Sequence, residues 1–484
     1  MQFGSIQRIL GLLLMMFSLT MLPPIAIAWI YQEEASAPPF IISMALVAGA
    51  GAALWFPVRR SRRDFRLRDG FIIVVAFWLA LGLTGSVPLL LSDTPDLPLA
   101  DAVFESVSGL TTTGATVITG LDGLPRAVLF YRHLLQWLGG MGIIVLAVAI
   151  APMLGIGGMQ LYRAETPGPM KDSKLTPRIT ETAKALWYLY LLLTVMCGLA
   201  YWAAGMEPFD AVSHSLSTVA IGGFSTHDAS VGQFDDPLVE LVAIVFMTAA
   251  GMNFALHFTA WRSRGFAAYR ADSELKCYLL ILGVIAMVTS VYLFVSGTFT
   301  DPFTALRIGV FQAVSISTTT GFTTADYHIW PSFLPVLLLF ASFIGGCAGS
   351  TGGGLKVIRV LLLFKQGMRE IVRLVHPSAQ VPIKVGGAVM PPRVIDAVWG
   401  FFATYVATFS LLLLALMATG LDQVTAFSAV AACMNNLGPG LGDVGQHYAG
   451  ISDTAKWLLS LAMLLGRLEI FTLLVLLSPT FWRG

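Results

Sequence analysis

Apolar runs of membrane-spanning length recur along the chain, near residues 9–31, 40–57, 70–93, 127–150, 183–205, 238–260, 276–297, 333–364, 395–419 and 455–478. About 20 helical residues cross a hydrocarbon layer roughly 30 Å thick, so ten spans are expected. Between the members of the last four pairs lies a shorter, milder apolar stretch, near 100–118, 209–225, 303–324 and 422–440. Each of these ends in a polar or glycine-rich cluster. They are expected to enter the membrane as helices, turn at a glycine and return to the side they came from. The first two spans enclose no such stretch and stand apart.

The turning stretches are related. They read VSGLTTTGA from Val107, LSTVAIGGF from Leu216, VSISTTTGF from Val314 and AACMNNLGP from Ala431. Aligned on Gly114, Gly223, Gly321 and Gly438, they recur 109, 98 and 117 residues apart. A period of that length is too long for a solenoid and suits a small membrane unit. The chain therefore divides into residues 1–69, two N-terminal helices and a basic loop, followed by repeats at 70–181, 182–274, 275–393 and 394–484.

Non-helical backbone inside a bilayer survives only where it is buried or lines a water-filled path. Four such segments around one axis would present rings of carbonyl, threonine and asparagine oxygens. Oxygen rings replace the hydration shell of an alkali cation. Glycine permits the φ > 0 geometry that aims carbonyls inward.

Composition agrees with a membrane protein. The chain is 56% hydrophobic and 12% charged, against about 25% charged in soluble domains. A net charge of +1 carries no message about nucleic acid. Its distribution is informative: Arg59, Arg60, Arg62, Arg63, Arg66 and Arg68 precede repeat one, and every inter-repeat loop is basic. Asp93, Asp96, Asp122, Asp228, Asp235, Asp236, Asp326 and Asp443 gather on the other side, where Arg126 and Arg307 are exceptions. The positive-inside rule then puts both termini in the cytoplasm and gives all four repeats one orientation. Cys197, Cys277, Cys347 and Cys433 are scattered singly and read as small core residues.

TTTGA at 111–115, AIGGF at 220–224, TTTGF at 318–322 and NNLGPG at 435–440 resemble the motifs of the Trk/Ktr/HKT superfamily of potassium transporters, and the two extra N-terminal spans resemble its TrkH branch. The resemblance covers the whole chain. It implies an all-α integral membrane fold of four pseudo-symmetric membrane–pore-loop–membrane repeats around one pore. It also implies potassium uptake at a bacterial inner membrane, potassium as the transported substrate, a homodimer, and a cytoplasmic nucleotide-binding regulatory subunit of the TrkA type. In that family, glycine at all four filter positions accompanies potassium selectivity, and serine in the first repeat accompanies sodium transport in some plant members. By register, the coordinating positions are Thr111 and Thr112, Ala220 and Ile221, Thr318 and Thr319, and Asn435 and Asn436. Their carbonyls are expected to bind the ion, with hydroxyls contributing at the inner end. Repeat two departs most, because Ala220 and Ile221 replace hydroxyl residues.

The second span of repeat three is interrupted by Gly345-Gly346-Cys347-Ala348-Gly349-Ser350-Thr351-Gly352-Gly353-Gly354, ahead of Leu355 and Lys356. Each glycine costs a helix about 1 kcal/mol against alanine. The run superficially resembles a phosphate-binding loop but lacks the adjacent Gly-Lys-Ser/Thr. A movable intramembrane gate beneath the filter is the functional reading, in line with the family; a close-packed helix crossing is the bland one. Arg467, deep in the last span, is a functional candidate by default and is expected below the filter as an electrostatic barrier. Glu469 beside it points to another face, its partner on another helix. Asn253 and His257, read as one helical face, and His214 would suit proton coupling but are more ordinarily packing residues. Asp101 and Asp210 look like N-caps, and Gly139-Gly140-Met141 and Gly155-Ile156-Gly157 like close-contact sites.

The expected function is a potassium-selective, channel-like transporter gated by the loop 345–354 and Arg467. The alternative is a secondary cation transporter coupling potassium entry to protons or sodium, disfavoured because the spans hold almost no Asp or Glu besides Glu469. A membrane enzyme ranks last, since no nucleophile–base pair or metal cluster is evident.

Overall fold

The computed structural model describes residues 3–60, 67–142, 179–263 and 265–483. Outside them lie Arg62, Arg63, Arg66, the end of the span expected at 127–150, Gly155-Ile156-Gly157, Arg163, Lys171, Lys174, Arg178 and Arg264.

The chain folds as an all-α membrane protein. Among the described residues, six helices are long and apolar enough to cross a membrane, and two bent helix pairs bring the number up to eight. The first span is Phe3–Ser18 and Leu22–Ile30, joined by a single tight turn where Pro23 and Pro24 remove backbone donors. It packs lengthwise on Ala37–Val58; Phe3–Ser18 also lies against the first span of repeat one, Leu67–Gly85, and Ala37–Val58 against the short helix Val87–Leu91 that follows it. The other repeats begin with Ile179–Ala203, Ser273–Val295 and Pro392–Met417.

Short helices follow in each repeat: Leu99–Leu110, Pro208–Ala220, Pro302–Ser317 and Gln423–Met434. All four are buried from their middle to their C-terminal end, so they converge on the protein interior instead of facing lipid. Asp301 and Asp422 cap the third and fourth, accepting from Thr304 N at 2.8 Å and from Val424 N at 2.9 Å. Asp101 and Asp210 do not cap the first two, a correction to the sequence reading. The cap positions are Pro98 and Glu207, and the two aspartates sit inside the first turn. Asp101 instead pairs with Lys456 Nζ at 2.5 Å, and Asp210 accepts from Thr226 Oγ1 at 2.8 Å.

The second spans hold the main departure from expectation. The interruption foreseen in repeat three is present, between Leu334–Ile344 and Val357–Val375. Repeat two is also broken, with Pro237–Ala250 and Phe254–Ser263 bent by 93°, and so is repeat four, with Asp453–Arg467 and Phe471–Leu477 bent by 111°. At the first break Asn253 Oδ1 accepts from Ala255 N at 2.8 Å and starts the next helix, so Asn253 and His257 do not share one continuous helical face. At the second, Glu469 and Ile470 both take positive φ, 50° and 52°. A two-stranded hairpin, Lys384–Val385 with Ala388–Val389, lies near the end of repeat three. Gly386 and Gly387 turn it with φ of 57° and 84°, the both-positive geometry of a type I′ turn.

The Lys456–Asp101 pair joins the last span of the chain to the first re-entrant helix, with side chains 6% and 13% exposed. Breaking a buried pair by removing one partner costs on the order of 3 kcal/mol. Lys456→Met is expected to lower the thermal midpoint of the detergent-solubilised protein by several degrees. Adding Asp101→Asn should recover a substantial part of it, and a differential scanning measurement on the three forms checks both.

Candidate functional site

Each re-entrant helix ends in the same way. Thr112, Ile221, Thr319 and Asn436 adopt φ of 55°, 56°, 68° and 53°. The next residue in each repeat, Thr113, Gly222, Thr320 or Leu437, donates its N–H five residues back, at 2.9, 2.9, 2.8 and 2.8 Å. The left-handed residue itself donates three residues back. This is a Schellman ending, whose left-handed position glycine usually fills. Here threonine, isoleucine and asparagine occupy it, at a cost of about 1–2 kcal/mol each. The glycines come two residues later: Gly114, Gly223, Gly321 and Gly438 have φ of 78°, 78°, 86° and 98°.

Those glycines close a ring. A Cβ on Gly114 would lie 2.1 Å from Gly222 O, on Gly223 2.0 Å from Thr320 O, on Gly321 2.2 Å from Leu437 O, and on Gly438 2.6 Å from Thr113 O. Each of these glycines therefore abuts the carbonyl preceding the corresponding glycine of the next repeat, and the fourth returns to the first. The outer loops follow the same order. Gly120 N donates to Asp228 Oδ1 at 3.0 Å, Gly232 N to Thr323 O at 3.0 Å, Tyr327 Oη to Pro439 O at 3.1 Å, and Tyr448 N to Thr116 O at 2.8 Å. The four glycines open together on one cavity of about 650 Å³, lined also by Arg132, His227, Asp228 and Asp326.

The side chains expected to coordinate are mostly occupied with bracing. Thr111 and Thr113 share a hydroxyl hydrogen bond of 2.7 Å, and Thr318 and Thr320 one of 2.8 Å. Asn435 accepts from Tyr405 Oη at 2.6 Å and donates to Ser342 Oγ at 3.0 Å. Asn436 donates to Thr113 Oγ1 and Met463 O, both at 3.0 Å. Ala220 and Ile221 are fully buried and offer backbone alone.

Beneath the ring lies the glycine loop. Gly353 N donates to Thr319 Oγ1 at 2.7 Å, Gly354 N to Asn435 O at 3.1 Å, and Thr351 Oγ1 to Val219 O at 3.0 Å. A Cβ on Gly352 would come within 2.9 Å of Thr318 O. The loop thus touches the inner ends of arcs two, three and four. Cys347 N donates to Gly251 O at 2.8 Å, and Gly349 O accepts from Phe254 N at 3.1 Å, tying the loop to the break in repeat two. Gly345 and Gly346 open the loop; Val357 N returns to Gly346 O at 3.1 Å to close it. Lys356, with φ of 77°, donates through Nζ to Gly352 O. Arg467 completes the contact with arc one. It donates to Gly139 O, to Thr351 O at 3.1 Å and to Thr112 Oγ1 at 3.3 Å. As the last residue of its helix, it stands where the macrodipole favours a cation.

Glu469 pairs with Arg359 on the helix after the glycine loop. His214 Nδ1 donates to Asp210 O at 2.9 Å, leaving Nε2 to accept from Ser225 Oγ at 2.9 Å. His257 bridges Tyr269 Oη at 2.7 Å and Ala249 O at 2.8 Å. Sequence reasoning undercounted intramembrane acids: Glu105, Glu240 and Glu274 are buried as well. Glu105 forms the tightest network. It pairs with Arg132 Nε at 2.8 Å and accepts from Val117 N at 3.0 Å, while Arg132 also donates to Ser225 O at 3.2 Å and lies 4.2 Å over Phe224. A charge inside an apolar helix is the signal that would have marked this pair, which the sequence reading missed. Glu274 Oε1 accepts from Ala348 N at 2.7 Å and Ile358 N at 3.2 Å, holding both ends of the glycine loop.

The model of the TrkH family, described as cation transport protein, matches residues 36–483. The chain is 59% identical to the Trk system potassium uptake protein TrkH of Vibrio parahaemolyticus and 52% identical to that of Escherichia coli K12, covering all of both chains in each case. It is similar to the crystal structure of the potassium transporter TrkH from Vibrio parahaemolyticus, with a TM-score of 0.91, 56% identity and full coverage of both chains.

At the cavity His227 touches Asp210 and Asp122, and these contacts raise its pKa from 6.5 to about 9. A raised folded pKa means the stabilisation is complete below about pH 6.5 and is lost as pH climbs through about 9. The difference in thermal midpoint between the unaltered chain and His227→Gln should be largest near about pH 6 and shrink toward about pH 10. A pH series of melts on the two proteins checks it.

Proposed function

Since the chain belongs to the TrkH family of cation transport proteins, we propose that it takes up potassium through a selective, channel-like path. The single observation carrying this reading is the closed ring of four glycine arcs. It opens outward on one cavity and has its inner ends held by the glycine loop and Arg467. Potassium enters the cavity, exchanges water for carbonyl oxygens of Thr111, Thr112, Ala220, Ile221, Thr318, Thr319, Asn435 and Asn436, and passes inward when the loop moves. Gly345, Gly346, Gly349, Gly352, Gly353, Gly354 and Lys356 form the gate together with Arg467, which is the electrostatic barrier below the filter. Hydroxyls of Thr112 and Thr319 already engaged by Arg467 and Gly353 favour carbonyl over side-chain coordination at the inner end.

The relatives' designation as Trk system proteins supports a partnered assembly. On this reading the chain is a homodimer in a bacterial inner membrane, with both termini cytoplasmic and a TrkA-type nucleotide-binding subunit acting on the basic face. The repeats run 70–181, 182–274, 275–393 and 394–484. Coupling to protons is less well supported, because Glu469 is tied to Arg359 and His214 has both ring nitrogens in hydrogen bonds.

Proteoliposomes holding the purified chain provide the test. Potassium and rubidium are expected to enter at a fixed membrane potential while sodium and lithium do not. Gly114→Ser drives a Cβ into Gly222 O and should raise sodium entry relative to potassium at least tenfold. Equal sodium and potassium entry in the unaltered chain would sink the selectivity claim. Arg467→Gln should separately raise potassium flux several-fold, and unchanged flux would remove Arg467 from the barrier.

A further inference from the structure

Repeats one and three carry TTTG and brace their arcs internally, through the Thr111–Thr113 and Thr318–Thr320 hydroxyl pairs. Repeat two lacks both partners, because Ala220 and Gly222 stand at those positions. Gln136, on the second span of repeat one, fills the gap. It is fully buried. Its Nε2 donates to Gly222 O at 2.6 Å, and its Oε1 accepts from Phe224 N at 3.1 Å. One amide thus grips the arc on both sides of Gly223.

Gly222 shows why the brace comes from outside. Its φ is not positive, so the backbone does not require glycine there. Space does: a Cβ at Gly222 would lie 2.4 Å from Gln136 Cδ and Oε1. The glutamine amide occupies the volume in which repeats one and three hold a threonine side chain. Repeat four is held differently, through a side chain. Ser342, three residues before the Gly345 break as Gln136 is three before Gly139, accepts from Asn435 Nδ2 at 3.0 Å. The hydroxyl pairs of repeats one and three lie within their own arcs, and a side chain of each of these repeats also reaches the repeat that follows.

We propose that Gln136 is a positioning residue for ion selection, holding the Gly222–Phe224 arc of repeat two so that the ring keeps one diameter although that repeat lacks its own hydroxyl brace. The inference rests on the reading of the ring as a selectivity filter. Gly222 O is the carbonyl against which Gly114 packs, so a shift of the repeat-two arc is passed directly to repeat one. A ring with one slack quadrant binds a smaller cation as readily as a larger one.

The test uses the full chain in proteoliposomes, comparing initial potassium and sodium flux at a fixed potential. Gln136→Met keeps the length and apolar volume but loses both hydrogen bonds. Gln136→Glu keeps an acceptor for Phe224 N and loses the donor to Gly222 O. Both are expected to lower the potassium-to-sodium flux ratio at least tenfold while potassium flux stays within about threefold of the unaltered chain. The exchange Gln136→Ala with Ala220→Thr and Gly222→Thr gives repeat two the internal brace of its neighbours. It should recover at least half of the lost discrimination on a logarithmic scale. It also decides the case if the Met and Glu variants do not fold. If those variants, or the exchange without its two threonines, keep a flux ratio within twofold of the unaltered chain while Gly114→Ser relaxes it, the proposal is overturned and the filter reading stands. If Gly114→Ser leaves the ratio unchanged too, the filter reading itself fails.

Discussion

The contact on which the rest of the structure depends is the approach of each ring glycine to the carbonyl of the neighbouring repeat. Backbone that has left its helix inside a membrane must find partners within the protein. Here the four arcs pack against one another in cyclic order, at separations that leave no room for a Cβ. Two demands meet at each glycine: a positive φ and a neighbour too close for any side chain. Because the four contacts share one ring, displacement of one carbonyl cannot stay local. The Schellman endings, with isoleucine and threonine held left-handed, show that the surroundings override local preference at the same level of the membrane.

Below the ring, the second spans of repeats two, three and four break, and the described helix of repeat one ends at Gly140, which feeds the same constraint. A straight helix would carry its backbone past the filter with every carbonyl already used. The breaks free groups that the glycine loop and Arg467 then engage: Gly251 O takes Cys347 N, and Gly139 O takes the Arg467 guanidinium. The loop is held at its ends by Glu274 and at its middle by the arcs themselves. Glycine within it costs helix propensity but lets the chain lie within contact distance of Asn435 O and Thr318 O.

Much of this was legible in the sequence and some of it was not, for physical reasons. The repeat, the re-entrant segments and the glycine register stand out because hydropathy and glycine placement are local signals. The interruption in repeat three is visible because ten consecutive small residues cannot hold a helix cheaply. The breaks in repeats two and four escaped because Gly251-Met252-Asn253 and Leu468-Glu469-Ile470 look like ordinary helix sequence, and only tertiary contacts force Glu469 and Ile470 to positive φ. Asp101 and Asp210 read as N-caps because a cap is a local pattern, whereas their partners Lys456 and Thr226 are set by the fold. Gln136 carried no signal at all. A neutral amide in an apolar span acquires meaning only when another repeat brings Gly222 to it.

Arg467 illustrates what a single chain of four unlike repeats can do. Gly139 and Gly466 occupy equivalent positions, since each abuts the last carbonyl of its own re-entrant helix, Leu110 O and Met434 O. Arg467 therefore corresponds to Gly140. In a symmetric tetramer the same substitution would put four guanidinium groups under one ring. At an effective dielectric constant of about 20, two unit charges about 6 Å apart repel by about 3 kcal/mol, and a ring of four holds several such pairs. One chain can place a single cation there, satisfy it with Gly139 O and Thr351 O from two other repeats, and keep the remaining quadrants small. The four arcs are likewise unequal, and two of them are contacted by side chains from a neighbouring repeat.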